Sequence, residues 1–206
     1  MQSTEELERM AAIIDAELAR RRLRRSCEWC RSAFTPHSAK GRFCSGRCRV
    51  AAHRNPLPIE LTSLDRWVRF DRAKRPLTTT GRSASSTDPT TWASYADAKV
   101  ATAGVGMGFI LNGDGIGVLD LDHCISNGVI ASWAQDIIDA NAGTFIEISI
   151  SGTGLHIWGL LPQGPGRKIR DGRSIEIYTT GRYIALGSRL PGASRKLCPI
   201  TLPDLA

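Results

Sequence analysis

Residues 106–122 read Gly-Met-Gly-Phe-Ile-Leu-Asn-Gly-Asp-Gly-Ile-Gly-Val-Leu-Asp-Leu-Asp, two apolar runs parted by Asn112-Gly-Asp-Gly115 and closed by Asp120-Leu121-Asp122. The pattern predicts strands over 106–111 and 115–121, and a turn of this kind favours a local hairpin. In an extended chain alternate side chains share a face. Asp120 and Asp122 therefore project together, and so do Ser174, Glu176 and Tyr178 on a later strand. Three converging carboxylates are costly without a cation, and hard ions such as Mg²⁺ or Mn²⁺ prefer oxygen ligands and polarise phosphates. The grouping points to phosphoryl or nucleotidyl transfer. A D-x-D taken alone is more often the mark of a solvated face or a turn.

Further strands are predicted around 66–70, 144–150, 154–161, 173–178 and 181–186. Asp88-Pro89 offers a helix cap followed by proline at the first helical position, with Trp92, Ala96 and Val100 as one apolar face. A second helix places Val129, Ile130, Trp133, Ile137 and Ile138 at helical spacing, with Gly143 as its terminator. Strands joined by short turns with two covering helices define an α+β domain.

Between the acidic motifs lies Ser151-Gly-Thr-Gly-Leu-His156. Glycines admit close backbone approach and successive amides can point at a phosphate, although the same residues also make a tight hairpin. Glu147 shares a strand face with Ser149 and Ser151, which suits an orienting role. Trp158 and Tyr178 either stack on a base or fill the core, and core is the default for Trp158.

In this order the motifs resemble the archaeo-eukaryotic primase superfamily, specifically the bifunctional primase-polymerase domains of phages, plasmids and prophages. That family reads D-x-D, then a serine-glycine-rich turn leading to histidine, then an acidic residue on a strand. Lys74-Arg-Pro76, Ala84–Pro89 with Trp92, Gly104-Val-Gly106 and Arg182-Tyr183 fall in the family's order, so the resemblance covers about residues 64 to 188. Ile150 departs from it, standing where proline is expected, a change in local turn rigidity. The resemblance implies an RNA-recognition-motif-like palm with a mixed or antiparallel sheet. It also implies catalytic metal at Asp120, Asp122 and Glu176, with nucleotide phosphates bound by Ser151, Gly152, Gly154, His156, Arg182 and Lys74. The implied substrates are a DNA template and primer with dNTPs or NTPs, and a replicative helicase is an implied partner.

The first 55 residues form a separate module. Ser3 and Glu6 fit a capping box, and Leu7, Ala11, Ile14 and Leu18 repeat at helical spacing. The helix runs into Arg20-Arg-Arg-Leu-Arg-Arg25, read either as a DNA-backbone contact or as a solubilising helix end. Cys27-Glu-Trp-Cys30 and Cys44-Ser-Gly-Arg-Cys48 then supply four thiolates at the spacing of a structural zinc site. A disulfide or unpaired buried thiols are the alternatives, and a reducing cytosol disfavours the former. The pattern also resembles a small treble-clef or zinc-ribbon-like module. Asn55-Pro-Leu-Pro58 marks the boundary between residues 1–55 and a catalytic domain over 56–206.

Charge follows this division. Residues 1–55 hold 12 Lys or Arg against 6 Asp or Glu, and the remainder holds 15 against 14. A basic module beside a nearly neutral domain suits phosphate-backbone binding. No apolar run reaches membrane-spanning length, and the acidic start carries no apolar signal core, so a cytoplasmic protein is expected. Template-directed nucleotidyl transfer is the leading reading. A non-enzymatic zinc-dependent DNA-binding regulator and a rolling-circle replication endonuclease are the alternatives. The endonuclease needs two clustered histidines and a helix-borne tyrosine, and His156 alone is suitably placed.

Overall fold

A computed structural model describes residues 9, 10, 12–16, 24–38, 40–54 and 57–203. The chain separates into two compact units, Met1–Pro56 and Leu57–Ala206. In the first, residues 9, 10 and 12–16 are helical; the expected cap at Ser3 and Glu6, the apolar positions Leu7, Ala11 and Leu18, and Arg20–Arg22 lie outside the described residues. A short antiparallel pair, β1 (Arg25–Ser26) and β2 (Ala33–Phe34), precedes α1 (Gly46–Arg54). Ser45 starts that helix, its hydroxyl accepting from the Cys48 amide at 3.1 Å.

The second unit is α+β with antiparallel sheets. It begins with α2 (Ile59–Thr62), β3 (Trp67–Phe70), β4 (Pro76–Leu77), a 3-10 turn (Pro89–Thr91) and α3 (Tyr95–Val100). It continues through β5 (Gly106–Asn112), β6 (Ile116–Leu121), β7 (Ile125–Ser126), β8 (Val129–Ile130), α4 (Ser132–Ala140), β9 (Phe145–Ile148) and β10 (Leu155–Leu160). The last strands are β11 (Arg167–Ile169), β12 (Ile175–Tyr178), β13 (Thr180–Ala185) and β14 (Ser188–Arg189). Six strands form one sheet in the order β11-β12-β6-β10-β9-β14, and four form another in the order β13-β5-β3-β4. A parallel bridge joins Leu160, at the end of β10, to Pro199.

Strand alternation sorts the core. On one face of the larger sheet Leu119, Leu121, Leu155, Ile157, Ile175 and Ile177 pack with Ala134, Ile137 and Ile138 of α4. On the other, Val118, Phe145, Trp158 and Tyr178 pack with Trp67, Phe109 and Ile184 of the smaller sheet. Phe109 meets Trp67 and Trp158 edge-on, at ring-centroid distances of 5.2 and 5.9 Å. Asp120 belongs to this second face, two residues beyond Val118.

Three expectations are corrected. Val129 and Ile130 pair with β7 as β8, so the second helix begins only at Ser132. The Asn112–Gly115 turn does not close a hairpin; β5 and β6 lie in different sheets, and the chain crosses between them there. The return crossing at Thr179 is fastened to the outward one, since the Gly113 amide donates to the Thr179 carbonyl at 2.8 Å. The helix expected from Asp88 onward is broken in two. Asp88 caps only the 3-10 turn, Ala93 then exchanges backbone hydrogen bonds with Trp67, and Ser94 restarts the helix by accepting from the Asp97 amide. The restart turns the apolar face, so Ala98 is buried and Val100 is 79% exposed.

That shift of face is directly testable. Ala98→Asp should cost about 3 kcal/mol or more in denaturant unfolding, because it buries an unpaired charge, whereas Val100→Ser should stay within about 0.5 kcal/mol of the parent. Equal effects at the two positions would refute the assignment.

Candidate functional site

β6 runs through the middle of the larger sheet, and its neighbours bring three polar residues to one level. Asp120 pairs with Glu176 of β12 on one side and with His156 of β10 on the other; His156 pairs in turn with Glu147 of β9. Directly opposed residues share a face, so Glu176, Asp120, His156 and Glu147 form one row across four strands. β6 ends at Leu121, and Asp122 lies in the following turn, with its amide bonded to the Ser174 carbonyl. One carboxylate oxygen each from Asp120, Asp122 and Glu176 nevertheless falls within 4.8 Å of the others. Small side-chain rotations bring such a set onto a hard cation, whose oxygen ligands lie at about 2.0–2.6 Å.

The electrostatics of the row are uneven. Burial raises the Asp120 pKa, His156 opposes the rise, and the charges of Asp122 and Glu176 add to it. Glu176 is held down to about 2: burial pushes it up, but hydrogen bonds from Tyr178, Lys168 and Arg170 outweigh burial. Lys168 Nζ stands 2.9 Å from Glu176 Oε1, Arg170 also reaches Oε1, and the Tyr178 hydroxyl donates to Oε2. Tyr178 itself accepts from Arg182 at 2.8 Å, and the guanidinium lies over its ring at 4.5 Å.

Glu147 is wholly buried and fully engaged. Its Oε1 stands 2.8 Å from His156 Nδ1 and accepts from Trp158 Nε1 at 3.0 Å, while Oε2 accepts from the Gly187 amide at 3.1 Å. The bond at Nδ1 fixes the ring and leaves His156 Nε2 facing Asp120 Oδ1, 3.6 Å away. Burial lowers the imidazole pKa, but the hydrogen bond and charge of Glu147, with Asp120 and Asp122, leave it raised. Gly187 has to be glycine here, because a Cβ would fall 1.8 Å from the Ile148 carbonyl oxygen.

A cleft of about 170 Å³ opens beside the row, lined by Lys74, Asp120, Ser149, Ile150, His156 and Tyr183–Ala185. Lys74, at φ +58°, is held at its mouth by the Tyr183 hydroxyl, which donates to the Lys74 carbonyl at 2.7 Å. A second hollow of about 530 Å³ is lined by Ile148–Gly152 and Leu186–Ser188. Ser151 and Gly152 line this second hollow, and the Ser151 hydroxyl is bonded to those of Ser149 and Thr153 at 3.0 and 2.9 Å. Gly152 turns at φ +76°, and Gly154 lies against the end of β6, where a Cβ would meet the Leu121 carbonyl oxygen at 2.8 Å. Ser149, Tyr183, Lys168 and Arg170 had no assigned role from sequence. A signal for the last two exists: they alternate in Arg167-Lys-Ile-Arg170, so on a strand they share one face.

In the first unit Cys27, Cys30, Cys44 and Cys48 bring their sulfurs within 4.8 Å of one another. Cys44 Sγ stands 3.5 Å from both Cys30 Sγ and Cys48 Sγ. Tetrahedral thiolates at about 2.3 Å from zinc are separated by about 3.8 Å, so the set has the right size. The Cys30 thiol is lowered to about 6, chiefly by Ser32, whereas hydrogen bonds to Cys48, Cys30 and Cys27 push Cys44 up to about 12. Four adjacent thiols resist shared ionisation, and a dication reverses that preference. Glu28 and Arg42 brace the loop with paired bonds of 2.7 and 2.6 Å.

A carboxylate cluster on an antiparallel sheet, beside a cleft lined by a lysine and a histidine, is a site class suited to phosphate chemistry, and comparison with known proteins points the same way. No protein-family model matches the chain. Over 116 residues, 52% of its length, the chain is 35% identical to the DNA Primase-polymerase of Nitratiruptor phage NrS-1. The match spans 16% of that protein. This likeness supports the primase-polymerase resemblance seen in the motifs.

Two outcomes follow from the geometry. Glu147→Gln leaves at least one of the His156, Trp158 and Gly187 donors without an acceptor and should cost about 1–3 kcal/mol by denaturant unfolding; an unchanged midpoint would show the network to be dispensable. The purified protein should carry about one zinc by elemental analysis, and Cys44→Ser should lose it; full zinc occupancy in the variant would rule out this ligand set.

Proposed function

We propose that this chain carries a metal-dependent nucleotidyl transferase centre of the primase-polymerase kind, acting in phage-type DNA replication. The observation that carries the reading is the convergence of Asp120, Asp122 and Glu176 beside His156 and the cleft that Lys74 lines, in a chain 35% identical over 116 residues to a phage DNA Primase-polymerase. The finer proposal is template-directed extension of a DNA primer with dNTPs, on a palm resembling the RNA-recognition motif. Residues 56–206 would form this catalytic domain. Residues 1–55 would form a zinc-stabilised basic module that grips the DNA backbone.

Asp120, Asp122 and Glu176 are the residues that would hold Mg²⁺ or Mn²⁺, which when bound supplies Lewis-acid charge at the reacting phosphate. In the transfer, the primer 3′-oxygen bonds to the α-phosphorus as the bond to the β-phosphate oxygen breaks. Pyrophosphate leaves and the hydroxyl proton passes to water. Around that event the chain's own groups bind and orient. His156, fixed at Nδ1 by Glu147, would present Nε2–H to a phosphate oxygen; its raised pKa favours the donating form. Lys74 would add a cation from the cleft lining, and the Ser149–Gly154 turn would add amides and hydroxyls. Arg182, stacked on Tyr178, would take a further phosphate contact. No helix among the described residues is long and apolar enough to cross a membrane.

The test is primer extension with labelled dNTPs and Mn²⁺ or Mg²⁺. The parent should incorporate nucleotide, and Asp120→Ala combined with Asp122→Ala should lower the rate by at least about a hundredfold while DNA remains bound. Extension by the double variant at the parent rate, in a contamination-controlled assay, would show the centre to lie elsewhere.

A further inference from the structure

The carboxylate that completes the acidic cluster already has cationic partners. Glu176 Oε1 is approached by Lys168 Nζ at 2.9 Å and by Arg170 Nη2 at 2.5 Å, while Oε2 accepts from Tyr178. Lys168 stands opposite Glu176 in the strand register, extending the row on the side of Asp120 away from His156. The two basic side chains are 57% and 47% exposed, against 13% for Glu176. They hold an inward-facing oxygen from an outward-facing position, so Lys168 can swing off it into solvent at little cost, while Arg170 does so by also giving up its Nη1 bonds to the Ile169 and Ile175 carbonyls.

A divalent ion held by Glu176 with Asp120 and Asp122 would compete with both cations for the same oxygen, and its charge would repel them at close range. Once released, a point-charge ammonium and a planar guanidinium would stand side by side at the edge of the cluster. The ligand that best neutralises such a pair is a phosphate group, with several anionic oxygens for fork-like and single contacts.

Building on the nucleotidyl-transfer reading above, we propose that Lys168 and Arg170 are a second phosphate-binding pair, which occupies Glu176 in the absence of metal, is displaced from it by the divalent ion, and then holds the phosphates of the incoming nucleotide. Metal and nucleotide then assist one another, because each removes the pair from what would otherwise be a competing or unmatched contact.

One variant should change metal binding and nucleotide binding in opposite directions. Lys168→Gln with Arg170→Gln, in the full chain, should bind Mn²⁺ severalfold more tightly without nucleotide, by magnetic-resonance titration of free Mn²⁺. It should bind a non-hydrolysable dNTP analogue with Mn²⁺ about tenfold more weakly. Affinity for a primer–template duplex should stay within about twofold of the parent. The exchanged pair Lys168→Arg with Arg170→Lys should restore most nucleotide affinity. Arg170 Nη1 also bonds the Ile169 and Ile175 carbonyls. If the double variant unfolds, Lys168→Gln alone carries the same test at smaller magnitude. Unchanged or weaker Mn²⁺ binding, unchanged nucleotide binding, or a loss confined to the duplex each overturns the proposal. Mn²⁺ sites are counted as those lost in the variant combining Asp120→Ala and Asp122→Ala. A parent without such a site overturns the metal centre and the pair together, whereas a parent with it and an unaltered Lys168 and Arg170 variant overturns the pair alone.

Discussion

The antiparallel register of β6 between β10 and β12 is the constraint on which the site depends. Because Asp120 lies opposite both His156 and Glu176, the carboxylates and the imidazole meet by backbone pairing, before any side chain chooses a rotamer. A slip of β6 by one residue would turn Asp120 toward α4 and carry Leu119 and Leu121 off the face that packs there. The register is therefore guarded by hydrophobic burial on the far face. The same packing that stabilises the domain fixes the separations on which its chemistry rests.

Glu147 extends that logic inward. A buried carboxylate in an apolar sheet is unfavourable unless its oxygens are hydrogen-bonded, and here an imidazole, an indole and a backbone amide bond both of them. The Gly187 amide belongs to the segment between β13 and β14, so Glu147 ties the loop beside the second hollow to the row that holds Asp120. Substitution at Gly187 would thus act at a distance. A Cβ that strikes the Ile148 carbonyl displaces the amide, and the acceptor that orients His156 loses one of its anchors.

Much of this was legible in the sequence, where apolar runs marked the long strands and strand parity put Glu176 with Tyr178, and His156 with Trp158, on shared faces. The carboxylates of Asp120 and Asp122 do converge, but through a turn: β6 stops at Leu121, and parity holds no information about where a strand ends. The Asn112–Gly115 turn has hairpin chemistry yet serves as a passage between sheets, because pairing partners are chosen by long-range packing that no local window contains. The broken helix was readable in principle, since Ser94-Tyr-Ala-Asp97 is a capping box; the stronger Asp88-Pro89 signal masked it. Lys168 and Arg170 were invisible as partners of Glu176 because edge strands are short and their pairing is set by a sheet already formed.

The two metal-type clusters differ in a way that bears on how one chain could keep two ions apart. Cys27, Cys30, Cys44 and Cys48 offer four soft sulfurs in a closed set, complete without solvent. Asp120, Asp122 and Glu176 offer three hard oxygens beside a cleft, leaving coordination positions for water or phosphate. Thiolates favour zinc, whereas carboxylates with open positions suit magnesium and manganese. Affinity alone would not separate them, since zinc outranks both ions at most nitrogen, oxygen and sulfur sites. The contacts of Lys168 and Arg170 to Glu176 would supply a further discriminant if the pair turns to nucleotide phosphates as proposed, because an ion arriving with those phosphates would then be favoured over one arriving alone.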